Sequence, residues 1–372
     1  LIIAASVNDA DLLYATGFFV PDPFIFMDIR GSKFAVLSDL EIDRGRRSMK
    51  GIEVLSLTAL QQKAASSAAR PRLGDIAAHV LKSRKIRRVS VPGNFPLFEA
   101  LLIEEHGITV EPVEGSIYPE RDYKSSAEIR HIRAALKMTE AGIQAGREAL
   151  RKAVIGKGNV LMLDGARLTS EKLRAIIDGT ILELGGIAED TIVACGNQGC
   201  DPHERGHGPL RAHQPIIVDV FPRMTATGYH GDITRTFVKG TPKPRVAAMY
   251  EAVYEAQMAA IDAITDGADS FAPHKAVCDV FEKRGFETST HPKTGVHQGF
   301  FHGTGHGLGL EVHEMPRMGR TSQGPLEAGH VVTVEPGLYY PGFGGVRLED
   351  VVVVTNGKAR NLVDFEKELV VQ

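Results

Sequence analysis

The sequence predicts a two-domain α/β (α+β) chain, and three observations predict it. Strand-like and helix-like segments alternate through residues 1–120, the pattern of a compact α/β unit. A polar, non-periodic stretch from Tyr118 to Lys124 then breaks the rhythm, and Ser125 stands three residues before Glu128, the pairing of a capping box. Beyond that point the order is helices, strands, helices, strands, without a clear repeat. With 372 residues there is enough chain for two cores, and the boundaries fall at 1–120 and 121–372.

Each element follows from local chemistry. Phe24–Ile29 and Phe34–Leu37 flank Arg30-Gly31-Ser32-Lys33 and read as a hairpin. Gly51–Leu55 and Arg88–Val91 are short strands, the second ended by Pro92-Gly93. Leu73, Ile76, Ala77 and Val80 share a helical face, and a helix from Pro96 to Glu105 stops at Gly107. In the second domain Ile129, Ile132, Leu136, Ile143 and Leu150 mark a long amphipathic helix. Thr169–Leu184, Pro244–Ile264 and Pro273–Arg284 are further helices. Pro215–Phe221, Gly231–Val238, Val331–Glu335 and Val346–Val354 read as strands, the last as one continuous run.

Composition narrows the function. An apolar fraction of 43% and a charged fraction of 24% are ordinary for a globular protein, so no disordered or fibrous reading is needed. A net charge of -3 gives no footprint for nucleic acid or an anionic membrane. No apolar run is long enough to span a bilayer. Cys195, Cys200 and Cys278 are too few and too odd in number for a disulfide framework, which suits a reducing, cytoplasmic setting. The chain opens at Leu1 without an initiator methionine, and no signal-peptide pattern is expected at its start.

The chemistry concentrates in His302-Gly303-Thr304-Gly305-His306-Gly307-Leu308-Gly309-Leu310-Glu311-Val312-His313-Glu314. Glycine lets backbone pass close to a metal or substrate. Three histidines in a glycine-rich loop do not by themselves separate a metal site from a solvated loop. Acidic partners decide. Asp219, Asp232, Glu335 and Glu349 lie on or beside apolar strands, where an unpaired charge costs roughly several kcal/mol. One such residue would be read as a salt-bridge partner; four in one domain, beside these histidines, point to a site. Strand alternation puts Arg347 and Glu349 on one face and Asp350 on the other, and gives Asp232, Thr234 and Thr236 a common face. Four carboxylates and one imidazole suit hard or borderline divalent ions, Mn²⁺ before thiolate-seeking metals. That much negative charge matches two ions about 3.5–4 Å apart, an arrangement that activates water for hydrolysis.

Taken together, the glycine-histidine stretch, Gly231-Asp232-Ile233-Thr234-Arg235-Thr236-Phe237, Val334-Glu335-Pro336-Gly337 and Val346-Arg347-Leu348-Glu349-Asp350 resemble the pita-bread metallopeptidase family. That family includes methionine aminopeptidase, aminopeptidase P, prolidase and creatinase. Residues 120–372 carry the resemblance strongly; residues 1–120 are more loosely similar to the creatinase and prolidase N-terminal domain. The resemblance implies Asp219, Asp232, His306, Glu335 and Glu349 as ligands of two divalent ions, with Mn²⁺ first and Co²⁺ or Zn²⁺ as alternatives. Asp232 and Glu349 would bridge the ions, and Glu335 would also take the proton of the attacking water. His302 and His313 would meet the substrate, His203 would assist at the carbonyl or leaving nitrogen with His207 as its competitor, and Arg347 would orient the carboxylates.

The implied activity is cleavage before proline in a small peptide, by a homodimer. The compact first domain favours an Xaa-Pro dipeptidase, with aminopeptidase P on longer peptides as the alternative and a metal-dependent lyase as a third reading. Methionine aminopeptidases lack such a first domain, and the five filled ligand positions argue against a creatinase or a binding module. No group that closes a dipeptide pocket is evident in the sequence. One departure stands out: Asp219 and Asp232 are thirteen positions apart, two more than is usual in the family. An even increment preserves the faces of both strands, so it bears on loop shape and substrate fit, not on metal binding.

Overall fold

The long helix of the second unit shows how the sequence builds the frame. Ser126–Lys152 is a single helix of 27 residues. Its start is the expected capping box: the Glu128 N–H donates to Ser125 Oγ at 3.3 Å, and the Ser125 N–H donates to Glu128 Oε2 at 2.8 Å. Its buried stripe includes Ile132, Leu136, Ile143 and Leu150. It packs on the Ser170–Glu183 helix, and Gly142 and Gly146 make the contact close. A Cβ at Gly142 would lie 2.9 Å from Ile181, and one at Gly146 would lie 2.9 Å from Ile177. Both isoleucines are fully buried, worth about 1.5–3 kcal/mol each.

The computed structural model describes residues 1–64, 71–290, 292 and 295–372. These form two compact units, Leu1–Arg121 and Asp122–Gln372. In the first, the strands Ile2–Ala4, Phe24–Ile29, Ser32–Leu37 and Ile52–Ser56 make one sheet in that order. The first two pairings are antiparallel and the last is parallel. A parallel pair, Arg88–Pro92 with Thr109–Val113, follows. Helices Leu73–Ser83 and Leu97–Glu105 pack on each other.

Two sheets and a ribbon position the site in the second unit. One sheet orders Ile192–Cys195, Ile216–Val220, Ile233–Lys239 and Val370–Val371; the other orders Glu314–Met318, Gly305–Gly307, Val331–Val334, Asp350–Val353 and Arg360–Asn361. The ribbon pairs Gly337–Tyr340 with Gly344–Arg347. One core lies between the 126–152 and 170–183 helices and the first sheet; another lies under the helices Pro244–Ala263 and Ala272–Lys283. Among the described residues no helix is long and apolar enough to cross a membrane.

The structure corrects one element. The run expected as a single strand from Val346 to Val354 divides into Gly344–Arg347 and Asp350–Val353, which belong to different sheets. Leu348 and Glu349 make the crossing. Both sides of the break are buried and valine-rich, so the sequence has no mark of it.

The connection between Asp219 and Asp232 is anchored to its surroundings. Its Arg223–Met224 segment pairs with Gly186–Ile187, and the Thr225 hydroxyl donates to the Gly185 carbonyl at 2.7 Å. This part of the connection is therefore pinned just beyond the end of the 170–183 helix. The register Asp219↔Thr234 and Val220↔Ile233 is regular beside it.

Candidate metal centre and substrate cavity

Five side chains from separate backbone segments converge on a cavity of about 1070 Å³. Asp219 sits within the 216–220 strand, Asp232 just before 233–239, and His306 at the middle of 305–307. Glu335 follows 331–334, and Glu349 occupies the crossing between the divided strands. Asp232, His306 and Glu349 each offer a donor atom, all within 4.8 Å of one another. Glu335 Oε1 lies 3.3 Å and Asp232 Oδ2 3.8 Å from His306 Nε2. Asp219 joins through Arg347, whose Nη2 donates to Asp219 Oδ2 at 2.7 Å.

These residues fit a divalent cation. His306 Nδ1 is 3.1 Å from the Gly307 carbonyl, which can only accept, so the proton belongs on Nδ1. Nε2 then stands against two carboxylates, a position that calls for a cation between these acceptors, a proton or a metal ion. Asp219 Oδ1 is buried without a hydrogen-bond partner among the described residues. Burial, then the charges of Glu349, Asp219 and Glu335, pushes the Asp232 carboxyl well above its usual range. Burial, then Glu335 and Asp219, does the same to Glu349. Burial also pushes Glu335 upward, but the hydrogen bond with His306 and the nearby positive charge, the Arg347 guanidinium included, outweigh it and hold that carboxyl at about 2.

The carboxylates are held from behind. Thr234 Oγ1 donates to Glu349 Oε2 at 2.8 Å, and the Glu349 N–H donates to the Thr234 carbonyl at 3.0 Å. Arg347, 3% exposed, also donates to the Tyr339 hydroxyl at 2.9 Å and to Thr234 Oγ1 at 3.3 Å. Asp350, which opens the next strand, turns to other partners. It accepts from Arg235 at 2.9 Å, Asn361 at 2.7 Å and Lys367 at 2.5 Å. The glycines of the histidine stretch act differently from the expectation. A Cβ at Gly305 would collide with the Thr333 carbonyl, and one at Gly307 with that of Met315. They let the central strand approach its neighbours' backbones.

The histidines fall into distinct places. His302, His313 and His203 all line the cavity, whereas His207 does not; its ring is 73% exposed beside Glu204. His313 sets its ring edge against His306, centroids 4.4 Å apart at 84°. Burial, then the charges of His306 and Arg317, lowers its pKa to about 4. His302 is fully engaged: Nδ1–H donates to the Gly303 carbonyl at 2.7 Å, and Nε2 accepts from the Tyr339 hydroxyl at 2.8 Å. Tyr339 thus links Arg347 to His302, and it is completely buried. Sequence reasoning missed Tyr339, because a tyrosine in an apolar strand carries no sign of its hydroxyl's partners. It also missed Arg317 and Arg320. Both line the cavity, and among the described residues neither forms an ion pair.

Such a donor set, on strands opening into a cavity, could hold divalent cations, and comparison with known proteins gives the family. The model of metallopeptidase family M24 matches residues 130–356. The chain belongs to this family. It is 34% identical over 183 residues to the Xaa-Pro dipeptidase of Pyrococcus furiosus, covering 49% of each protein. It is 30% identical over 265 residues to the Xaa-Pro dipeptidase of Pyrococcus horikoshii, covering 69% of this chain and 67% of that one. Matches of this kind span between about half (49%) and three quarters (75%) of the relatives' length. Its fold is that of the X-Pro aminopeptidase from Thermotoga maritima, with a TM-score of 0.82 at 21% identity, covering 100% of this chain and 96% of that one.

Proposed function

We propose that the chain hydrolyses the peptide bond preceding proline, with Xaa-Pro dipeptides as its substrates. The relatives' named activities support the proline preference. The observation that carries the dipeptide reading is the placement of Arg317 and Arg320: two cations without ion-pair partners among the described residues, in the same cavity as the carboxylate cluster. A dipeptide has two charged ends, and the proline carboxylate needs a cationic partner inside the site. A longer peptide places a neutral amide there.

In this reading Asp219, Asp232, His306, Glu335 and Glu349 would hold two divalent ions, with Mn²⁺ suited to so oxygen-rich a set. Such ions polarise the scissile carbonyl and lower the pKa of water. The chain's own residues do the rest. Glu335, held ionised, takes the proton of the attacking water and delivers it to the proline nitrogen. His313 and His203 face the carbonyl oxygen as hydrogen-bond donors where its negative charge grows. His302, with both ring nitrogens engaged, forms a fixed wall backed by Tyr339 and Arg347. A homodimer in a reducing cytoplasm completes the proposal; light scattering on the purified protein tests the assembly.

The deciding experiment compares Xaa-Pro, Xaa-Pro-amide and Xaa-Pro-Yaa after chelation and reloading with Mn²⁺, Co²⁺ or Zn²⁺. The dipeptide should be preferred over its amide by about 10- to 150-fold in kcat/KM, the worth of one charged hydrogen bond. Arg317→Met or Arg320→Met should abolish that preference. Equal cleavage of all three would favour the aminopeptidase reading, and no cleavage with any metal would favour the lyase.

A further inference from the structure

Glu314 follows His313 directly and opens the Glu314–Met318 strand. Its carboxylate turns inward and meets Lys124, with side-chain exposures of 4% and 2%. Lys124 Nζ donates to Glu314 Oε2 at 2.6 Å. Glu314 Oε1 accepts the backbone N–H of Glu311 at 3.1 Å. A Cβ at Gly309 would lie 2.5 Å from Oε2, so the backbone of this loop closes over the carboxylate. The loop's other end is also tied, since the His230 N–H donates to the Gly309 carbonyl at 2.9 Å. Lys124 is fixed in turn: its N–H donates to the Gly329 carbonyl at 2.8 Å, one residue before the Ser125 cap of the 126–152 helix.

Burying two charges is costly, and an apolar pair of equal volume would pack as well or better. What an ion pair gives here is direction. A charge-assisted hydrogen bond is roughly twice as strong as a neutral one and fixes the acceptor in space. We propose that Lys124 and Glu314 are a positioning pair for His313: the ammonium fixes the carboxylate, the carboxylate fixes the Glu311 amide, and the loop so held keeps the His313 ring against His306. Neither residue touches substrate. The consequence for turnover rests on the peptidase reading above; the geometric part does not.

Two double variants test this, each removing both members of the ion pair. Lys124→Met with Glu314→Leu removes the pair and the Glu311 anchor. Lys124→Met with Glu314→Gln removes both charges but keeps a side-chain oxygen for that anchor. Both are expected to fold and to bind Mn²⁺ with wild-type stoichiometry. The leucine variant should lose roughly 10- to 100-fold in kcat, the scale of a small misplacement, with KM changed less than about twofold. The glutamine variant should recover most of the loss. In the metal-free protein, the NMR signals of the His313 ring should shift and broaden in the leucine variant and stay near wild type in the glutamine variant. An unchanged His313 signal in the leucine variant, or equal loss in both, would overturn the proposal. Should the wild type cleave no Xaa-Pro peptide, the NMR comparison still decides the positioning claim while the peptidase reading fails separately.

Discussion

Arg347→Met is the most informative single perturbation of the site's frame. The guanidinium is 3% exposed and donates to Asp219 at 2.7 Å, to Tyr339 at 2.9 Å and to Thr234 at 3.3 Å. Among the described residues Asp219 Oδ1 already has no hydrogen-bond partner. Removing Arg347 leaves the other oxygen without its cation as well. Breaking one side of a buried ion pair costs about 3–5 kcal/mol, and for a unit of this size each kcal/mol moves Tm by roughly 2–4 °C. The metal-free variant should therefore melt roughly 6–20 °C below wild type. Saturating Mn²⁺ should narrow the gap, because a cation beside Asp219 replaces part of the lost charge. The assay is calorimetry with chelator and with Mn²⁺. A metal-free variant melting within about 2 °C of wild type would refute the reasoning, since Asp219 would then need no cation.

Further outcomes follow from the same geometry. Asp232→Asn and Glu349→Gln should each abolish binding of two ions per chain, read by elemental analysis after gel filtration, and turnover with it. His313→Gln should lower kcat by about 10²-fold or more while leaving metal content near wild type. Glu171, at the start of the 170–183 helix, is held at about 2 by the Thr169 hydroxyl and by the Gly208 N–H at 3.0 Å. Its folded pKa lies below the unfolded value, so its stabilisation is full above about pH 4.5 and fades as pH falls toward 2. Urea titrations of Glu171→Gln should therefore show a deficit at pH 7 that closes in this acidic window.

Much of the site was legible because it violates the pattern around it. Asp219 and Asp232 interrupt apolar strands, and their cost demands a partner wherever the chain folds. Glu349 and Asp350 have separate partners, as expected of an unbroken strand, although the break leaves Glu349 outside either half. The break itself was illegible: Val346 to Val354 is apolar on both sides of it, and the division depends on which sheet each half joins. Lys124, Tyr339 and Arg317 were illegible for another reason. Each is an ordinary residue whose meaning comes from a partner far away in sequence, as Lys124 and Glu314 are separated by 190 positions. The glycines were legible as close-approach residues, but what they approach, neighbouring strand backbone, depends on register.

The central claim is that this carboxylate-imidazole cluster, loaded with divalent ions, cuts before proline in a dipeptide whose carboxylate meets Arg317 and Arg320. The most direct test is the rate of Xaa-Pro hydrolysis by chelated protein titrated with Mn²⁺. The account predicts negligible rate without metal, a rise that saturates at two ions per chain, and a kcat/KM for the dipeptide about 10- to 150-fold above that for its amide. Full activity in the chelated protein, or no dipeptide cleavage at saturating metal, would contradict it.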